Sequence, residues 1–241
     1  LPRAIDIGPL TIHLYGVIIA VSIYIGWLIA KKRAYIYKIP VTLFDDPILL
    51  LPLVLGVIGA RLYHVFDYWD YYSKNLIDIV NVASGGLGIW GSLVGIFVGF
   101  WIVSKIKSIN LLSILDLASP SLLLGQAIGR IGNFVNQEAF GPPTDLPWAI
   151  YIRPENRPVQ FATSTHFHPT FFYEAILDAI FFVILIYLSK QSIARLAKRV
   201  KGQLSIVRPG RVFALYLILY STGRFIVEFW RIDTATIGQV K

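Results

Sequence analysis

The chain contains no cysteine, so neither a disulfide framework nor a thiolate metal site can form, and any thiol in its chemistry has to come from a partner. It contains no methionine either, not even at residue 1, and so reads as trimmed at its start. Charge is scarce. Asp, Glu, Lys and Arg make up 15% of residues, against roughly 25% in a soluble domain, while 56% are hydrophobic. The apolar runs are too long and too weakly patterned to be strands, which argues against a soluble α/β enzyme. Acidic residues are the scarcer sign, 14 against 22 basic ones, for a net charge of +8. That excess does not point to nucleic acid, because the positives sit mainly in short loops between apolar segments, where they orient a chain in a bilayer.

What is there is an all-α pattern, a polytopic membrane helix bundle with six expected spans near residues 12–30, 47–66, 86–104, 111–131, 170–189 and 212–230. Lys31, Lys32 and Arg33 follow the first span directly, whereas a secretory signal carries its positive charge before the apolar segment, so this span is expected to stay as a helix. The second span carries Arg61 in its last third, within reach of the interface. Asp67-Tyr-Trp-Asp70 lacks the surrounding spacing of a metal-dependent phosphatidyltransferase, and no metal or other cofactor is expected. In the third span Gly91, Gly95 and Gly99 recur every four residues, the spacing that lets helix backbones approach in lipid. Pro120 in the fourth predicts a kink, and Asp116 reads as a helix-end or interhelical partner. Residues 137–169 are polar and proline-rich, too long for a bare connection, and are expected to form a small outer-face element within a single domain spanning 1–241.

The fourth span ends in Gly125-Gln-Ala-Ile-Gly-Arg-Ile-Gly-Asn-Phe-Val-Asn-Gln-Glu-Ala-Phe-Gly141, which places Arg130, Asn133, Asn136, Gln137 and Glu138 within nine residues at a membrane boundary. Such groups are costly there unless paired or used. If the helix continues to Gln137, Arg130, Asn133 and Gln137 share a face that offers a guanidinium fork and amide donors to a phosphate or carboxylate. A helix end snorkelling its polar groups is the plainer reading, and these residues alone leave both open. In the sixth span Tyr220, Arg224 and Glu228 share a face, and Arg224 with Glu228 at i, i+4 can simply neutralise one another.

The run Gly129-Arg-Ile-Gly-Asn-Phe-Val-Asn-Gln-Glu-Ala-Phe-Gly141 closely resembles the signature of the prolipoprotein diacylglyceryl transferases. Five further stretches agree in order: Ile5-Asp-Ile-Gly-Pro-Leu-Thr-Ile-His-Leu-Tyr-Gly16, Gly59-Ala-Arg-Leu-Tyr63, Gly85-Gly-Leu-Gly-Ile-Trp-Gly91, His168-Pro-Thr-Phe-Phe-Tyr-Glu174 and Tyr220-Ser-Thr-Gly-Arg-Phe-Ile-Val-Glu228. The resemblance implies a multi-pass enzyme of the bacterial plasma (inner) membrane. Its partners would be phosphatidylglycerol and a prolipoprotein signal peptide with its lipobox cysteine, among membrane lipids; glycerol phosphate would leave. Combined with charge logic, it implies Arg130 and Arg224 for the phosphate, with Glu138 and Glu228 orienting them. Tyr15, Asn133, Asn136, Tyr220, Arg61 and Gly141 are expected at the substrate, and His168 is a titratable candidate base. Tyr15 by itself would read as an interfacial anchor.

Where many members have histidine in the Gly-Gly-Leu-x-x-His-Gly loop, this chain has Trp90. That substitution, with a seventh family span expected to be missing after residue 230, keeps a catalytically silent lipid-binding relative as the alternative. A small-solute transporter is a weaker one, since no inverted repeat is visible.

Thirteen of the 22 lysines and arginines fall in the three loops after spans one, three and five, which favours an N-terminus outside. Cysteines introduced at Lys31, Asp145 and Arg195 are therefore expected to react with an impermeant thiol reagent in intact cells at 145 alone. Labelling at 195 would overturn that orientation.

Overall fold

In the computed structural model residues 3–8, 10–82, 85–199 and 208–232 are described. In chain order the elements are β1 (Ala4–Ile7), β2 (Leu10–His13), α1 (Leu14–Arg33), α2 (Leu51–Asp67), α3 (Trp69–Tyr72), α4 (Ile89–Ile106), α5 (Leu111–Asn136), β3 (Ile150–Tyr151), β4 (His166–Phe167), α6 (Thr170–Arg199) and α7 (Arg211–Glu228). Lys201 and the chain end after residue 232, where the missing seventh span was expected, lie outside the described residues, as do the side chains of Arg195, Lys198 and Arg199.

Among the described residues five helical segments are long and apolar enough to cross a membrane: Leu14–Tyr37, Pro47–Asp67, Ile89–Ile106, Leu111–Asn136 and Thr170–Lys190. The sequence led us to expect six. The sixth, α7, forms a helix of 18 residues that holds Arg211, Arg224 and Glu228, and so is less apolar than the other five. Large apolar side chains stay on the outside of these helices, Val94 and Phe225 among them, as befits surfaces that lipid can cover.

The chain divides into two compact units, Leu1–Lys32 with Asp116–Lys241, and Arg33–Leu115. In the second, α2 packs along α4 with backbone against backbone. A Cβ added at Gly91 would meet the carbonyl of Gly59, one at Gly95 the carbonyl of Leu55, and one at Gly99 the backbone of Pro52. The four-residue spacing therefore does what it suggested, removing side chains along one stripe so that dispersion between main chains replaces them. Before α2, the Asp46 carboxylate pairs with Lys107 just beyond α4 and accepts from the amide of Ile48 at 2.9 Å, which together hold it below the usual carboxylate range.

In the first unit, β1 and β2 form an antiparallel hairpin leading straight into α1. Leu123 of α5, Leu185 of α6 and Val212 and Tyr216 of α7 form its helical core. Asp116, fully buried, caps α7: its carboxylate accepts from the amide of Gly210 at 2.8 Å and of Phe213 at 2.7 Å. A carboxylate at a helix N-terminus meets both unsatisfied donors and the positive end of the helix dipole, and here it also ties α5 to α7. Helix α5 runs on through Pro120, which is enclosed. Between α5 and α6, strands β3 and β4 pair antiparallel, and Phe140, Ile152 and Phe167 give this polar stretch a small core of its own.

Gly91→Ala is expected to destabilise the protein by about 1 to 3 kcal/mol, because its methyl meets the Gly59 main chain and not a movable side-chain tip. Gly125→Ala, with open space around it, is the control. Thermal unfolding in detergent compares them; equal midpoints would mean that α2 and α4 do not depend on this approach.

Candidate active site

The polar groups of the first unit converge on one carboxylate. Glu174, the fifth residue of α6, is 5% exposed. Its Oε2 pairs with Nη2 of Arg130 on α5, and its Oε1 accepts from Nη1 of Arg224 on α7 at 3.4 Å and Nη1 of Arg231 just past α7 at 3.0 Å. Arg224 is shared, its Nη2 lying 2.5 Å from Glu228 one turn later. The helix periodicity that aligned Arg224 with Glu228 thus orients the arginine, and a residue on another helix completes the pairing.

From Arg130 the network runs outward along α5. Nη1 of Arg130 donates to Asn133 Oδ1 at 3.2 Å, and Asn133 Nδ2 donates to Glu138 Oε1 at 3.0 Å, which also receives Asn136 Nδ2 at 3.3 Å. Glu138 therefore reaches Arg130 through Asn133. It returns to this face because the helix stops at Asn136 and Gln137 takes a left-handed conformation, φ +55°, as does Ala139. A non-glycine residue held there costs on the order of 1 to 3 kcal/mol, so the reversal has to be held by its surroundings. The Gln137 amide supplies part of that: its Nε2 donates to the Tyr151 carbonyl, and its Oε1 accepts from the Arg153 amide and from Asn156. This corrects the expectation that Gln137 shares the face of Arg130 and Asn133. Its side chain serves the 137–169 stretch. Thr170 Oγ1, donating to the Ala139 carbonyl at 2.8 Å, fastens the start of α6 to the same turn.

Two other expected residues lie against this stretch. The ring of Tyr15 occupies the space a side chain at Gly132 would fill, one position from Asn133. Gly141 is enclosed by the Trp230 carbonyl, Thr170 and His168, and its amide donates to the His168 carbonyl at 2.8 Å. Tyr220 stacks on Tyr216 at 5.9 Å and lies in the electrostatic field of Arg130, Glu174 and Arg224. His168 is placed beside the loop, but its Nδ1 meets the Tyr173 hydroxyl at 3.2 Å, and that hydroxyl also accepts from Trp148. No contact links its ring to the arginines among the described residues.

Arg61 lies in the other unit, and its guanidinium is spent there. Its N–H groups donate to the carbonyls of Ile79, Gly85, Gly86, Asp78 and Asn81, while Tyr72 covers its face at 5.1 Å. An arginine has five N–H donors, so this one organises the loop before α4 and keeps none for a ligand.

A cavity of about 730 Å³ with a mixed lining opens beside the site, with Arg3, Asn136, Glu138 and Asn156 among its polar residues and Phe140 and Ile232 among its apolar ones. Glu138 belongs to both. Sequence reasoning left Glu174 and Arg231 out of the expected site, although Glu174 closes the His-Pro-Thr motif. The signal was there: two carboxylates, Glu174 and Asp178, opening an apolar helix need counter-charges from other helices. Glu174→Gln keeps the shape but leaves three guanidinium groups facing one another, and is expected to cost on the order of 3 kcal/mol. A lowered unfolding midpoint in detergent would show it; an unchanged one would mean the arginines do not depend on this carboxylate.

Comparison with known proteins agrees with the motifs. The family profile described as prolipoprotein diacylglyceryl transferase matches residues 2–241. The chain is 39% identical over 241 residues to the phosphatidylglycerol–prolipoprotein diacylglyceryl transferase of Trichormus variabilis, covering 100% of this chain and 82% of that relative. It is 37% identical over 238 residues to the enzyme of that name from Finegoldia magna, covering 99% and 86%. The protein of the same name from Acaryochloris marina is 37% identical over 241 residues, covering 100% and 83%. With a match over nearly its whole length, the chain belongs to the prolipoprotein diacylglyceryl transferase family.

Proposed function

We propose that this protein moves the diacylglyceryl group of phosphatidylglycerol onto the thiol of the lipobox cysteine of a prolipoprotein and releases glycerol phosphate. The family supports the reaction, and the convergence of Arg130 and Arg224 on Glu174 is the observation that carries it to particular atoms. The chemistry is displacement at a saturated carbon: sulfur bonds to the glyceryl carbon while the carbon–oxygen bond to phosphate breaks. Negative charge grows on the departing phosphate, and preorganised cations are the means of stabilising it. Arginine keeps its charge in a low-dielectric site and presents a fork that fits phosphate oxygens.

The arrangement suits the task. One carboxylate, Glu174, gathers Arg130 from α5 and Arg224 from α7, so that two guanidinium forks are held together where a phosphodiester can meet both. Asn133, Tyr15 and Tyr220 line the same side as hydrogen-bonding partners for the headgroup, and Asn136 and Glu138 extend it into the adjoining cavity. Gly141 lets the 137–169 element lie close against Trp230 and Thr170. In the proposed orientation the ends of α5 and α7 and the start of α6 face the outer side of the plasma membrane, where exported preproteins emerge.

Catalytic silence is the second reading, and Trp90 is its observation. An indole N–H donates a hydrogen bond but cannot accept a proton, so Trp90 cannot stand in for a histidine base. Incubation of the purified protein with phosphatidylglycerol and a lipobox peptide separates the two readings. A mass gain of one diacylglyceryl unit on the cysteine is expected, and lipid binding without that gain would leave a silent relative. Arg130→Lys and Arg224→Lys keep the charge and lose the fork. Each is expected to cost about 1 to 3 kcal/mol in the transition state, roughly tenfold to a hundredfold in rate. Near-normal turnover in both would remove these arginines from the mechanism.

A further inference from the structure

One turn from Glu174 along α6, on the same face, lies Asp178. It is 4% exposed, and its Oδ2 is enclosed without a hydrogen-bond partner. An enclosed carboxylate oxygen with no donor is costly in a helix core, and no hydrogen bond ties this one to the arginine network. The charged and titratable groups that act on it are Arg130 from α5, Glu174 from its own helix, and Tyr216 and Tyr220 from α7.

Its depth fits a step the arginines do not cover. Helix α5 ends, α6 begins and α7 ends on one side of this unit, held together by Thr170 on Ala139 and by the three arginines on Glu174. Asp178 sits four residues, about 6 Å, further along α6 from that end than Glu174 does. With a phosphate held at Arg130 and Arg224, the rest of a phospholipid points the same way, toward the acyl chains. A nucleophile displacing the phosphate approaches its carbon from the side opposite the departing oxygen, so the sulfur arrives at the level of Asp178.

Resting on the transfer reaction proposed above, we infer that Asp178 is the general base that takes the proton of the acceptor thiol. The S–H bond breaks and its proton passes to a carboxylate oxygen of Asp178. A sulfur electron pair forms the S–C bond, and the C–O bond breaks with its pair leaving on glycerol phosphate. That phosphate then takes the proton back from Asp178, so the carboxylate is restored and no co-reactant is needed. The arginine field favours the thiolate, Asp178 receives the proton, and Trp90 and His168 need no part in it.

The test compares two acceptors in wild type, Asp178→Asn and Asp178→Glu: a lipobox peptide with cysteine, and the same peptide with selenocysteine, whose selenol is already ionised at neutral pH. Asp178→Asn is expected to lose about 10²- to 10⁴-fold in kcat with the thiol, the usual worth of a general base, and to transfer to the selenol at close to the wild-type rate. Its thiol activity should recover as pH rises through the thiol's own pKa of about 8.5. Equal losses on both acceptors, or no loss on the thiol, would overturn the assignment. If the Asn variant is not recovered as folded protein, Asp178→Glu decides: retained thiol turnover supports a carboxylate base, and parallel loss on both peptides refutes it. Wild type inactive toward both peptides would instead count against the transfer reaction itself.

Discussion

A carboxylate buried within an apolar helix bundle has to find its counter-charges inside the protein, because the medium around it supplies none. Glu174 finds them in Arg130, Arg224 and Arg231, drawn from α5, α7 and the residues just past it. Each arginine has the converse need. The cluster is thus a mutual solution to the cost of placing ions among apolar helices, and in the reaction proposed above the same arginines meet the anionic lipid.

Several apparently separate features serve that cluster. The left-handed residues Gln137 and Ala139 turn the chain so that Glu138 can reach Asn133, and Thr170 binds the turn to the start of α6. Asp116 does at the far end of α7 what Glu174 does near the site, using one carboxylate to fix α7 against α5. Gly132 and Gly141 matter for what they omit: the first admits the ring of Tyr15, and the second the Trp230 carbonyl. The arginines are held from several directions without any one contact filling their donors. Arg61 shows the opposite limit, a guanidinium whose five donors all end on loop carbonyls.

Much of this was legible before the structure. Scarce charge and long apolar runs identified a membrane helix bundle, the glycine stripe in α4 identified a close helix contact, and the motifs identified the family. Where reasoning from pattern failed, a physical competitor is visible in each case. Gln137 was aligned with Arg130 on the assumption that the helix continued, but the turn after Asn136 ended it. The resemblance put Arg61 at the substrate, and the loop before α4 takes its donors instead. The sixth expected span does form, as the helix α7, and Arg211, Arg224 and Glu228 make it less apolar than the five segments above.

Residue order alone is enough to say which segments are helical, which of their faces are polar, and that arginines and carboxylates must meet somewhere among them. Those properties are local, set by residue type and by periods of three or four positions. Which charge meets which follows from packing. Glu174 lies 44 residues beyond Arg130 and 50 before Arg224, a separation no helical period spans, and ion pairing depends on distance in space between helices. The same holds for Asp178, whose place one turn beyond the arginines on the face of Glu174 is a local fact, while its enclosure is a product of packing.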